Sequence, residues 1–212
     1  MSILTKFKDL AVESIRDNWK LIVVFYVIFI IVFAATWIVS ADVVSSNIEN
    51  LTGAMNATPS GGTAVDSADA LSIFVHNEMG GLMTYLGSVF FAIAAIVMLL
   101  YNAANLGATG PLLSAVSSNG GLRYLVYLIP HGIFEITATV LESVAGILLF
   151  MFIFRFLRAM MARKGAFMAF EENKKVLIQS LVIFVISIIL LLIAAPIEAY
   201  FSVPFSELIV GV

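Results

Sequence analysis

MGGLMTYLGSVFFAIAAIVMLLYNAANLGATGPLLSAVSSNGGL, residues 79–122, contains no charged side chain. As a single helix it would extend about 66 Å at ~1.5 Å per residue, roughly twice the ~30 Å of hydrocarbon that one membrane helix has to cross. The stretch must therefore turn back on itself. Asn102, Asn105, Gly107, Gly110 and Pro111 are the turn-forming residues inside it, and they place a break between spans at 82–100 and 103–117, with Asn102 at the turn.

Three further apolar stretches flank this run, at 21–39, 125–150 and 176–195, each long enough for a membrane span. The chain is 61% hydrophobic and only 12% charged, with a mean hydropathy of +1.06. Those values exclude an ordinary soluble domain. With 212 residues there is room for several spans and no separate soluble domain, so one membrane domain over 1–212 is expected. The absence of cysteine excludes disulfides, thiolate metal sites and cysteine nucleophiles.

Charge sets the topology. Lys6, Lys8, Arg16 and Lys20 come first, Arg123 stands alone, and the remaining basic residues fall within 155–175. Basic loops stay on the cytoplasmic side, so the two clusters belong there and an even number of crossings separates them. Spans 21–39 and 125–150 supply two, leaving zero or two for the uncharged run. Two gives an all-α, polytopic protein of about five transmembrane helices, amino-terminus cytoplasmic and carboxy-terminus outside, in the cell membrane; a re-entrant hairpin would satisfy the same parity. Arg123 is the one basic residue left outside.

Residues 1–20 alternate apolar and charged positions at roughly helical spacing, which predicts an amphipathic helix lying at the cytoplasmic interface or packed against the bundle. The apolar stretch after Lys20 is longer than a signal-peptide core and no small-residue cleavage site follows it, so an uncleaved anchor is expected. Residues 41–79 form the outer loop and an interfacial segment. The loop part lacks Lys and Arg and carries two sequons, Asn50-Leu51-Thr52 and Asn56-Ala57-Thr58. Residues 196–212 form an outer tail.

Polar residues inside the apolar segments are costly and tend to face protein and do work. Pro130-His131-Gly132-Ile133-Phe134-Glu135 puts a histidine and a carboxylate in the fourth span. At ~100° per residue His131 and Glu135 lie about 40° apart, and Glu142 falls about 20° from His131, so the three share one stripe. Glu198, just after Pro196, reaches a similar outer level on the fifth span, and Asn77 enters from the same side. A buried cluster of His131, Glu135, Glu198 and Asn77, with Glu142 deeper, is the candidate site. Such a cluster serves either as an interhelical lock, at about 1 kcal/mol or less per hydrogen bond, or as a functional centre.

The same residues carry a resemblance. Asn77, Gly87, Asn102 with Gly107, the 130–135 segment, and Ile197-Glu198-Ala199 with Pro204 resemble the pattern of the stage II sporulation protein M family of multi-spanning membrane proteins. The match runs from about residue 73 to 204, and it departs from the family's Asn-Gly pair in having Ala103 after Asn102. The resemblance implies five spans. For the sporulating member it also implies a platform that localises peptidoglycan-degrading enzymes during engulfment, a role that does not carry over to relatives lacking that wall polymer.

Catalysis finds little support. Zinc sites need three or four ligands, and His76 would have to join His131 across helices, so no metal or cofactor is expected. No aspartate follows Asp69 and no serine sits in a nucleophile turn, which argues against intramembrane proteolysis. A His131–Glu135 pair without a nucleophile or oxyanion hole is weak evidence for an enzyme. Nucleic-acid binding has no basis. The expected function is a non-enzymatic scaffold contacting membrane lipids and protein partners; ion or proton transport along the carboxylates is the alternative, and a membrane hydrolase a distant third. Small residues such as Gly87, Gly107, Gly110 and Gly146 suit either a homodimer or close packing within one chain.

Overall fold

The computed structural model describes residues 2–47, 69–90, 92–117, 119–163 and 165–211. The predicted sequons at Asn50 and Asn56 lie outside them. All regular structure among the described residues is helical: α1 (Ile3–Ser46), α2 (Ala70–Gly87), α3 (Ile93–Val116), α4 (Gly120–Met161), α5 (Ala166–Ile197), a π-helical turn (Glu198–Ser202) and α6 (Val203–Val210). Four stretches are long and apolar enough to cross a membrane: most of α1, α3, α4, and the continuous segment from α5 through α6.

α1 is one unbroken helix of 44 residues. It contains neither glycine nor proline, and the Ser2 hydroxyl caps its start by accepting from the Thr5 amide at 3.2 Å. Residues 1–20 are therefore not a separate interfacial helix but the first part of the same rod as span 21–39. They pack through the buried Ser14 and through Ile15 on the core, and at the rim Lys175 of α5 reaches both Glu13 and Asp17 at 2.8 Å. Gln179 donates to Asp17 at 3.0 Å. Lys175 beside it holds the Asp17 carboxyl below its ordinary range, and Asp17 with Glu13 holds the Lys175 ammonium above its own.

The uncharged run does turn back, though not at Asn102. One helix ends at Gly87 and the next begins at Ile93, and both Asn102 and Gly107 sit inside α3. The physical reason is a stripe of buried, mostly small residues, Ala95, Leu99, Ala103, Gly107 and Gly110, at helical spacing along α3. A Cβ on Gly107 would strike the Phe33 carbonyl of α1, and one on Gly110 would strike the Trp37 ring. Glycine here permits close helix approach rather than a bend. In place of helices at 82–100 and 103–117 stand α2 and α3, of which α3 is long and apolar enough to cross a membrane. Pro130 and Pro196 lead one to expect two further breaks from the sequence, yet both residues also lie within helices, as membrane helices tolerate when neighbours satisfy the freed carbonyls.

α2 occupies 70–87, where an interfacial segment and part of a span were expected. It runs alongside α4 in the same direction: Asn77 meets Glu135, Gly81 meets Glu142, and Ser88 just beyond its end meets Gly146. α3 returns from Gly146, at Ala95, to Trp37, at Gly110. α4 and α5 form a long antiparallel hairpin, joined by the Ser180 hydroxyl donating to the Ala145 carbonyl at 2.8 Å. Tyr85 of α2 stacks on Phe184 at 4.3 Å between ring centres, around a core that includes Phe29, Leu99, Val140, Val144 and Ile183. The 155–175 segment is mostly helical, as the end of α4 and the start of α5. The expected tail is helical over 196–210, and Glu207 of α6 pairs at 3.0 Å with Arg123, the basic residue that stood apart from the clusters. The other basic residues belong to the opposite end, where α1 starts and α4 meets α5.

The glycines considered for a dimer contact are occupied within the chain. Gly87 faces Ala94, and Gly146 faces Ser88 and Ala95, in addition to the α1 contacts of Gly107 and Gly110.

Candidate functional site

Tyr127, His131 and Glu135 succeed one another at four-residue intervals along α4, so their side chains rise from one face. The Tyr127 ring meets His131 edge-on, with centres 5.0 Å apart. The second wall comes from the far end of α5. Just after Pro196 the backbone loosens into the π-helical turn, and Glu198 and Ser202 at its two ends both reach this face of α4. The Tyr127 hydroxyl donates to Glu198 at 3.0 Å. His131 Nδ1 lies 2.8 Å from the Ser202 hydroxyl, and its Nε2 lies 3.7 Å from Glu135.

The third wall is α2, whose Asn77 amide donates to Glu135 at 3.4 Å. One ligand-type atom from each of His131, Glu135 and Glu198 falls within 4.8 Å of the others. His131 is 2% exposed, whereas Glu135 and Glu198 are partly buried. The structure thus brings together four of the five residues singled out from the sequence.

Glu142, the fifth, stands apart. Nearly two turns further along α4 it is 4% exposed and packs on Gly81, whose lack of a side chain makes room for the carboxylate. Its Oε1 has no hydrogen-bond partner among the described residues, and the same holds for Glu78 Oε2 on α2. His76 is exposed on α2 and does not approach His131, so a site built on the two histidines does not form.

Sequence reasoning missed three contributors. Tyr127 was findable, since it lies one turn before His131 on the stripe already drawn. Glu78 follows Asn77 directly, but an expected interfacial setting hid it. Ser202 carried no signal, because its approach depends on the π-helical register after Pro196.

Chemically the site holds acceptors in excess. Two carboxylates and an imidazole share a buried space, and no Lys or Arg among the described residues pairs with them. Such a set binds a proton or a cation, or fastens α2, α4 and the π-helical turn together.

The sequence pattern describing "Stage II sporulation protein M" matches residues 22–203. The chain is also 34% identical over 133 residues, 62% of its own length and 69% of the relative's, to an uncharacterized protein of the archaeon Methanocaldococcus jannaschii. No solved structure matches.

Proposed function

The chain belongs to the stage II sporulation protein M family, and on that premise we propose that it is a non-enzymatic, multi-pass membrane platform that positions partner proteins at the basic end of its bundle. The proposed topology has five crossings, with α2 and α3 as the second and third, and the amino-terminus cytoplasmic as the basic clusters favour.

One observation supports this reading: large apolar side chains stand uncovered at helix ends that lie outside proposed crossings at 21–39, 125–150 and 176–195. Leu4 is 81% exposed, Met161 85% and Phe167 77%. Leu4 precedes Leu21 by 17 residues and Met161 follows Phe150 by 11, which as helix is about 25 Å and 16 Å. The headgroup layer adds only ~5–8 Å to each side of the hydrocarbon, so these residues project past the lipid. Exposed apolar surface in water marks a contact site for protein. The buried cluster has a supporting role here: it holds the helices in register while their basic ends are presented.

Transport is the second reading, favoured by the partnerless buried oxygen of Glu142 and the nearby Glu78. Proteoliposomes separate the two. The platform reading expects no pH-driven ion or proton flux above that of empty vesicles, and no change with Glu135→Gln or Glu142→Gln. A flux that either substitution abolishes would replace the platform by a transporter.

A further inference from the structure

We propose that His131, Glu135 and Glu198 form a binding site for one divalent cation of the Zn2+ class. This goes beyond the platform reading and does not depend on it.

Geometry is the first argument. Three atoms mutually within 4.8 Å leave a point no more than about 2.8 Å from each (4.8 Å divided by √3), whereas zinc bonds to imidazole and carboxylate are about 2.0–2.2 Å. Side-chain movements below about 1 Å close that difference.

The hydrogen-bond directions supply the second. The Ser202 hydroxyl lies 2.8 Å from His131 Nδ1 and 3.2 Å from the Ile197 carbonyl; where its one proton goes to the carbonyl, it accepts from Nδ1–H. In that tautomer Nε2 turns a lone pair towards Glu135 at 3.7 Å. A lone pair facing a carboxylate is repulsive unless a proton or a metal cation stands between them, and a divalent cation is attracted to all three ligands at once. Charge agrees: two carboxylates and a neutral imidazole carry −2, which a dication cancels and a single proton does not. Neutrality matters in a buried site with no Lys or Arg partner.

Each ligand is also held from behind. His131 is oriented by Ser202, Glu198 by the Tyr127 hydroxyl and Glu135 by the Asn77 amide. Outer partners of this kind fix the tautomer and aim of metal ligands. One nitrogen with carboxylate oxygens suits Zn2+ better than Mg2+.

The test uses the full chain, purified in mild detergent without a polyhistidine tag. Elemental analysis should find about one zinc per chain. Stripping with a chelator should lower the unfolding temperature by about 5–10 °C, with recovery on adding Zn2+ but not Mg2+. His131→Gln and Glu198→Gln should lose both bound metal and the zinc response. Glu207→Gln, in the exposed pair with Arg123, and His76→Ala should keep both. Wild-type protein that holds no stoichiometric metal and unfolds at the same temperature with chelator or Zn2+ would overturn the proposal, even if the variants fail to fold. A zinc response persisting in folded His131→Gln would overturn it as well.

Discussion

Gly107→Val should unfold the bundle at a temperature about 6–12 °C below wild type in detergent, and should lower the amount of folded protein in the membrane. The Cβ alone would collide with the Phe33 carbonyl of α1, a helix backbone group that cannot rotate aside as a side chain would, and would crowd the Thr36 Cβ. α1 and α3 must then separate, which opens the close approach that seats α3 on α1. Overpacking of this kind costs about 3 kcal/mol, which for a chain of this size gives the stated shift. Gly80→Ala is the matched control. Nothing lies within 4 Å of a Cβ built there, so the substitution should be neutral or stabilise by up to about 1 kcal/mol through helix propensity. Equal destabilisation at both glycines would mean that the α1–α3 approach is not as described.

His131→Ala should have the next largest effect, about 2–4 kcal/mol. Three effects combine. The imidazole is fully packed against Tyr127, so its removal leaves a cavity; its bond to Ser202 disappears; and Glu135 and Glu198 are left facing each other without the group between them. Ser202→Ala alone should cost less, because it removes only a hydroxyl. If the two residues act as a unit, the double variant will cost less than the two single costs added, with a coupling of about 0.5–3 kcal/mol. Strict additivity, measured by reversible unfolding in mixed micelles, would show that α4 and the π-helical turn are not joined at this point.

The sequence made the class of fold legible and misplaced its internal boundaries, for identifiable reasons. Apolar length and charge placement are properties of the chain itself, so they marked the helical segments and the basic end directly. Boundaries between close-packed membrane helices depend on what a glycine faces. Asn102 and Gly107 look like punctuation until α1 is placed beside them, and the stretch between Gly87 and Ile93, Ser-Val-Phe-Phe-Ala, contains neither glycine nor proline. Residues 1–20 misled in another way. Their apolar stripe suggested an interfacial face, whereas Leu4, Leu10 and Trp19 stand exposed, and the side turned to the bundle mixes the buried Ser14 with Ile15, which packs on the core.

The polar cluster was more legible than the turns because helical phase alone aligns His131 with Glu135, and span direction alone brings Glu198 and Asn77 to the same level. Phase and the seven-residue step between them also set Glu142 deeper than Glu135; what they could not give is its seat on Gly81 or the role of Ser202. A π-helical turn shifts the register of everything after Pro196 without any residue announcing it.

The platform reading stands or falls on whether the uncovered apolar residues beyond the spans touch protein. A photo-crosslinking amino acid placed at Met161 and at Phe167, in native membranes, measures this directly against Ile133, which is 66% exposed at the level of the apolar span. The account predicts discrete, reproducible protein adducts from Met161 and Phe167 and only lipid adducts from Ile133. Lipid adducts alone at all three positions would contradict it.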